Sequence, residues 1–237
     1  MNFKQGVKDG IPIFLGYLSV SFAFGVLSIE KGFPLWFPVL TSILNFTGTG
    51  QFVGVDLIAA GASLAELALT MLIVNIRYAL MSVSLTQKLS PSIGIGGRMW
   101  IAFGNTDEIF AVSVRKKEAL PLSYMTGIII CSYTGWVGGT AIGALAGNLF
   151  PPALLSAFGI SLHAMFIAII IPPVKEDKRM LAAVVLSVLL SCLFYFIPFL
   201  SAIGTGWAVI ICSVAAAFAA AMVFPIKTPE ELENENL

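Results

Sequence analysis

Apolar residues run along this chain in long stretches, and polar residues, glycine and proline interrupt them at intervals. The interruptions leave eight hydrophobic segments, at about 10–29, 34–59, 64–86, 98–114, 120–147, 153–173, 180–200 and 203–224. The breaks are Glu30-Lys31, Gly61, the loop from Ser90-Pro91 to Gly97, Arg115 to Glu118, Pro151-Pro152, Lys175 to Arg179, and Pro198 to Gly206. Two stretches carry no Asp, Glu, Lys or Arg at all: Ala119 to Val174, of 56 residues, and Met180 to Ile226, of 47. Each is long enough to cross a bilayer twice, at roughly 20 residues per crossing. Apolar stretches of this length satisfy their own backbone in lipid only as helices. The pattern therefore predicts an all-α, polytopic transmembrane helical bundle of seven or eight segments, forming one transmembrane domain over 1–237.

Composition agrees, since 58% of residues are hydrophobic, 11% are charged and mean hydropathy is +0.94, far from a soluble globular chain. Net charge is zero and no basic cluster is interleaved with aromatics, which sets nucleic-acid binding aside. Lys4 and Lys8 followed by Ile11 to Ile29 resemble a signal peptide, but the run is long and no small-x-small site follows, so it reads as an uncleaved first span. Cys131, Cys192 and Cys212 lie apart inside apolar runs and read as ordinary buried cysteines. The chain shows no GxxxxGK[ST], HExxH or GxSxG, so it offers no visible machinery for ATP hydrolysis, zinc proteolysis or serine hydrolysis. No cofactor, metal or enzymatic activity is expected.

With eight crossings and the N-terminus in the cytoplasm, inner loops hold Lys4, Lys8, Arg115, Lys116, Lys117, Lys175, Lys178, Arg179 and Lys227, against Lys31, Lys88 and Arg98 outside. That asymmetry supports cytoplasmic termini in an inner cell membrane, with an acidic tail at 227–237. A re-entrant fourth segment would leave seven crossings. Gly25 to Phe52 loosely resembles Gly143 to Phe166, which raises two parallel repeats, 1–114 and 115–226. Gly135, Gly139, Gly143 and Gly147 recur every fourth residue and place a close-packing face on the fifth segment. The uncharged runs after residue 119 otherwise read as scaffold.

Chemistry concentrates in three polar interruptions. Asn45-Phe46-Thr47-Gly48-Thr49-Gly50-Gln51-Phe52 sits inside an uncharged run, where paired glycines weaken the helix by about 1 kcal/mol each. A helix broken there would present N–H groups to a carboxylate; an intact helix with small packing residues is the alternative. Asp56, near the end of that segment, falls at the inner interface. Arg77 has ten uncharged residues on either side, and a central membrane arginine costs roughly 2.5–3.5 kcal/mol unless it faces a partner. Glu66, Thr70, Arg77 and Ser84 form one helical stripe, with Asn75 beside it, that lines a cavity. Asp107 and Glu108 are the natural partners of Arg77. On a helix they point about 100° apart, so one faces Arg77 and the other is left partly desolvated and able to exchange a proton. His163, the single histidine, is either a proton relay or a neutral packing residue.

Taken in order, Gly16-Tyr17, Phe46-x-Gly48-x-x-Gln51-Phe52, Asn75-x-Arg77 and Thr106-Asp107-Glu108 resemble the AzlC family of branched-chain amino acid permeases, from about residue 5 to 225. The resemblance implies export of valine, leucine or isoleucine by a secondary mechanism, together with a small hydrophobic AzlD-type membrane partner. It further implies that Asn45, Phe46, Gly48, Gly50, Gln51 and Phe52 bind substrate, while Asn75, Arg77, Asp107 and Glu108 form the charge network. The carboxylate would sit on the broken segment, the ammonium or a coupling proton on Asp107 or Glu108, and the side chain against Phe46 and Phe52. Thr47 and Thr49 stand where the family commonly has alanine, and Tyr78 where it often has histidine after the arginine. A membrane subunit of an ATP-driven permease and a channel-like or structural membrane protein are the rival readings.

Overall fold

The computed structural model describes residues 1–146, 178–201 and 203–224, with positions 167, 170, 171, 174 and 175 between them. Among these residues all regular elements are helical: α1 (Phe3–Glu30), α2 (Trp36–Leu44), α3 (Thr49–Ala59), α4 (Leu64–Thr86), α5 (Ile95–Phe103), α6 (Asp107–Val114), α7 (Leu122–Ala146), α8 (Lys178–Phe196), α9 (Pro198–Ser201) and α10 (Thr205–Val223). Five helices are long and apolar enough to cross a membrane: Phe3–Glu30, Leu64–Thr86, Leu122–Ala146, Arg179–Phe196 and Thr205–Val223. The chain is thus a multi-pass helical membrane protein. The expected segment 153–173, His163, Gly147 and the tail 227–237 fall largely or wholly outside the described residues.

Contacts divide the chain into two compact units, Met1–Ala60 with Val74–Met165, and Gly61–Ile73 with Phe166–Leu237. In the first, α1 and α7 run parallel and almost backbone to backbone. Gly135 faces Phe14, Gly139 faces Leu18, and Gly143 faces Phe22, so each step of four along α7 matches a step of four along α1. A Cβ on Gly135 would stand 2.8 Å from the Phe14 carbonyl oxygen, and one on Gly139 2.5 Å from the Leu18 carbonyl oxygen. The seam is reciprocal, since Gly6 and Gly10 of α1 abut Tyr124, Ile128 and Cys131 of α7. Small residues at this spacing let membrane helices approach closely enough for dispersion and backbone contacts to hold them.

Segments 34–59 and 98–114 are each two short helices, and each turns back on itself. Lys31 Nζ, just ahead of α2, lies 3.0 Å from Asp56 Oδ1 near the end of α3, so the α2–α3 hairpin enters and leaves at the C-terminal end of α1. The α5–α6 hairpin is pinned at the opposite end. Ser90 N–H donates to the Leu120 carbonyl at 3.0 Å and Leu120 N–H to the Lys88 carbonyl at 2.8 Å. Lys88 Nζ donates to the Lys116 carbonyl at 3.0 Å, and Lys116 Nζ in turn lies 2.7 Å from Asp9 Oδ2 on α1. The end of α4 therefore lies beside the start of α1, and the two helices are antiparallel.

The expected broken helix is present in both segments, five spans are found among the described residues against the seven or eight expected, and the side assigned to Lys88 is corrected, since it lies with Lys116 rather than opposite it. Asp56 likewise shares an end with Lys31 instead of facing the other interface. Hydropathy registers apolar length, and a hairpin of two apolar half-helices has the length of one span. The reversal needs only a turn: Gly48 adopts φ +53°, which a side chain disfavours, and Gly104-Asn105-Thr106 breaks the second hairpin.

In the second unit, Glu66 Oε1 accepts the Gly206 N–H at 3.0 Å in the first turn of α10, and Thr70 is fully buried beside it. A carboxylate there offsets the unpaired N–H groups and positive end of the helix. Ser84 is exposed, and of the stripe expected along α4 Glu66 and Thr70 belong to the second unit and Arg77 to the first. Of the cysteines Cys212 is buried, Cys131 intermediate and Cys192 exposed, which corrects the expectation that all three are buried.

Gly139→Leu should disrupt the α1–α7 seam, costing at least about 3 kcal/mol by overpacking. Gly138→Leu, where a Cβ meets open space, should be tolerated. Thermal unfolding of the purified protein, followed by size exclusion, checks the contrast; equal melting of both variants would refute the seam.

Candidate functional site

The two hairpin turns meet near the mid-lengths of α1 and α7, beside Tyr17 of α1, Asn75 to Tyr78 of α4, and Tyr133 to Trp136 of α7, all in the first unit. Each turn frees backbone groups that water does not reach, and the surrounding side chains take them up.

At the first turn Gln51 is the brace. It is 2% exposed and uses both ends of its amide. Its Oε1 accepts from Trp136 Nε1 at 2.9 Å and from Ser42 Oγ at 3.4 Å, while its Nε2 donates to the Asn45 and Thr41 carbonyls. The Thr41 carbonyl, which also accepts the Asn45 N–H at 2.8 Å, and the Asn45 carbonyl just past α2 are thereby tied to α7. Gly48 lies against the Trp136 ring, 3.4 Å from where a Cβ would stand. Tyr78 Oη donates to the Thr47 carbonyl at 2.9 Å. Around Gly50 is a polar niche: Thr47 Oγ1 lies 2.7 Å, and the Asn75 amide atoms 3.0 and 3.1 Å, from the position a Cβ would take.

At the second turn Thr106 caps α6, and Asp107 and Glu108 occupy its first turn, where the helix end favours negative charge. The two acids diverge. Asp107 Oδ2 lies 2.8 Å from Arg77 Nη1, and Arg77 Nη2 reaches Thr49 Oγ1 at 3.5 Å, so Arg77 ties both turns together. Glu108 turns to α1, where the Tyr17 hydroxyl bridges its carboxylate and Thr106 Oγ1, the latter at 2.7 Å. Asn105, 3% exposed, donates to Ser82 Oγ at 3.1 Å.

Aromatic rings enclose the junction. Tyr17 packs edge-on to Trp136 and Phe46, with centroids 5.2 and 5.7 Å apart, and Phe46 meets Tyr133 at 5.5 Å. Phe52 turns away from this cluster and packs on Phe24 at 5.3 Å. Four buried polar atoms here have no hydrogen-bond partner: Thr47 Oγ1, Asn75 Oδ1, Arg77 Nε and Asn105 Oδ1. Orphaned donors and acceptors beside an ion pair and an aromatic wall are the surroundings a small polar-headed, apolar-tailed molecule would complete. Among the described residues no three His, Cys, Asp or Glu side chains gather as a metal site.

Residues 12–150, which contain both hairpins and this junction, match the AzlC protein family. The chain belongs to the AzlC family. It is 33% identical over 186 residues to the inner membrane protein YgaZ of Escherichia coli, covering 76% of each chain. It is 35% identical over 178 residues to an uncharacterized membrane protein of Archaeoglobus fulgidus, covering 73% of this chain and 76% of that one. The branched-chain amino acid transport protein AzlC of Bacillus subtilis is 26% identical over 181 residues, 75% of this chain and 70% of that one. No solved structure matches.

Within this AzlC-family chain Tyr78 bonds Thr47, and Thr49 meets Arg77. The sequence pointed to Asn45 through Phe52, Asn75, Arg77, Asp107 and Glu108, and the structure gathers all of them except Phe52 at the junction. It also brings in Tyr17, Ser42, Tyr133, Trp136 and Thr140, the last three from a run that reads as scaffold. The available signal was a tryptophan and tyrosines in mid-span, since their N–H and O–H groups need buried partners.

Arg77→Ala and Asp107→Ala should each destabilise the protein, and the double variant should lose less than their sum, by about 1–2 kcal/mol for a half-buried pair. Unfolding midpoints of the four proteins measure the coupling; strict additivity would show the pair to be inert.

Proposed function

We propose that this protein is a secondary transporter that exports branched-chain or related apolar amino acids, valine, leucine and isoleucine, across the cytoplasmic membrane. Membership of the AzlC family and the similarity to the branched-chain amino acid transport protein of Bacillus subtilis support the substrate class. The observation that carries the reading is the Arg77–Asp107 pair, with Thr49, joining two broken hairpins at the middle of the unit. Broken elements that meet at mid-depth recur in transporters, because half-helix ends and freed backbone groups handle charged substrate groups there.

In this mechanism the substrate carboxylate lies at the first turn of α3, near Thr47, Gly50, Asn75 and Arg77, and its ammonium lies at the acid pair. Phe46, Tyr17 and Trp136 receive the aliphatic side chain. Gln51 acts as a positioning residue, since its hydrogen bonds are already committed. Alternating access follows when one hairpin withdraws while the other stays closed. The rims carry the Lys31–Asp56 pair at one end and the Asp9–Lys116 pair at the other.

Orientation follows from the rims. Lys4, Lys8, Lys88 and Arg115 to Lys117 gather toward the N-terminal end of α1, against Lys31 at the other, so the N-terminal end faces the cytoplasm. A small AzlD-type hydrophobic protein completes the working transporter. In a cysteine-free background, single cysteines at Lys31 and Asp56 should react with an impermeant thiol reagent from the periplasmic side. Those at Lys88 and Lys116 should react only from the cytoplasmic side; Lys31 and Asp56 labelling from opposite faces would exclude the hairpin.

The function itself is tested in liposomes holding the chain with and without the small partner. Labelled leucine should exchange without nucleotide, and Arg77→Ala should reduce exchange at least tenfold. Absence of exchange under both conditions would overturn the reading, and a requirement for ATP would favour an ATP-driven permease. Flux without counterflow, indifferent to Arg77→Ala, would mark a channel or scaffold.

A further inference from the structure

Asp107 and Glu108 are adjacent in sequence, yet their charges are met differently. Asp107 has Arg77 at 2.8 Å. Glu108 has the Tyr17 hydroxyl and, among the described residues, no lysine or arginine in ion-pair contact. The titratable and charged groups facing it are Tyr17 from α1, Arg77 and Tyr78 from α4, and Asp107 on its own helix. The α2–α3 turn presents only Thr47 and Thr49, and α7 presents Tyr133 and Trp136. Arg77 is already matched by Asp107, so one negative charge in the cluster is left over.

Glu108 is only partly buried, and the Tyr17 hydroxyl and the helix end meet part of its charge, but a carboxylate held in this apolar setting without a cation calls for a counter-charge of its own. Two suit it: a proton, or the ammonium of an amino acid, whose three N–H donors can satisfy the carboxylate while nearby ring faces favour a cation. The oxygen lone pairs that would accept the ammonium are those that take the proton. We propose that Glu108 is the single seat shared by the substrate's ammonium group and the coupling proton, so that an amino acid leaves it only as a proton arrives. Asp107 does not serve this purpose; it holds Arg77 in place. Competition for one carboxylate is then the coupling device, and it ties amino acid exit to proton entry without a separate proton path. The proton adds to the carboxylate on one side of the membrane and leaves it on the other when ammonium displaces it, with no other bond made or broken.

This inference rests on the transport reading, and equilibrium binding separates the two. Labelled leucine is titrated onto the full chain in detergent, with the small partner present, between pH 5.5 and 8.5. Because each leucine bound would displace one proton, apparent affinity should weaken as pH falls, approaching tenfold per pH unit at the acid end. Glu108→Asp should keep that slope. Glu108→Gln should bind with an affinity independent of pH, and in liposomes it should lose flux driven by a pH gradient. Should Glu108→Gln fail to fold or to bind, Tyr17→Phe decides: removing the hydroxyl that bonds the carboxylate should displace the midpoint of the pH profile, and an unmoved profile overturns the assignment. Leucine binding by the wild type that ignores pH, or a slope that survives in Glu108→Gln, overturns this inference while leaving the transport reading intact. Wild-type protein that binds no leucine at any pH ends both.

Discussion

The parallel seam between α1 and α7 is the constraint on which the first unit depends. Gly135, Gly139 and Gly143 present no side chain to α1, so Phe14, Leu18 and Phe22 approach to backbone distance. In lipid there is little hydrophobic gain from helix association, and contact of this closeness supplies the stabilisation instead. A parallel pair also dictates the route between its members. The chain leaves the C-terminal end of α1 and must return to the N-terminal end to start α7, and α4 makes that return.

With α1, α4 and α7 in place, the two remaining segments cannot both cross and still meet the ends they join. They dip and turn back, one from each end, and their turns expose backbone groups in an apolar setting. The polar side chains of the junction follow from that. Gln51 ties the carbonyls of one turn to Trp136, Thr106 and Tyr17 secure the other, and Arg77 spans both. The structural need to satisfy broken helices and the functional need for a polar centre are met by the same residues. The atoms left over, at Thr47, Asn75, Arg77 and Asn105, are where a ligand would enter that accounting.

Much of the site was legible in the chain because membrane burial makes polar residues conspicuous. Arg77 amid ten uncharged neighbours on each side, two glycines beside Gln51, and an acid pair in a short segment each stand out against apolar surroundings. Tyr133 and Trp136 did not, and Tyr17 stood out only as part of a family motif, since aromatic residues are ordinary in apolar spans and nothing local shows which ring carries a bonded hydroxyl or indole. The partition of the two acids was legible only halfway: helical geometry separates their directions, but not which one meets Arg77.

The sequence by itself determined that the chain is helical and membrane-embedded, that its glycines at 135, 139 and 143 allow a close helix, and that its polar interruptions are the places to look for chemistry. These are properties of local composition and periodicity, and no distant residue can alter them. The tertiary structure alone decided that segments 34–59 and 98–114 turn back rather than cross, that Lys88 joins Lys116 and Lys31 joins Asp56, and that Glu108 faces Tyr17 while Asp107 takes Arg77. Chain reversal and charge pairing depend on what lies across the fold, and hydropathy along the chain carries no record of it.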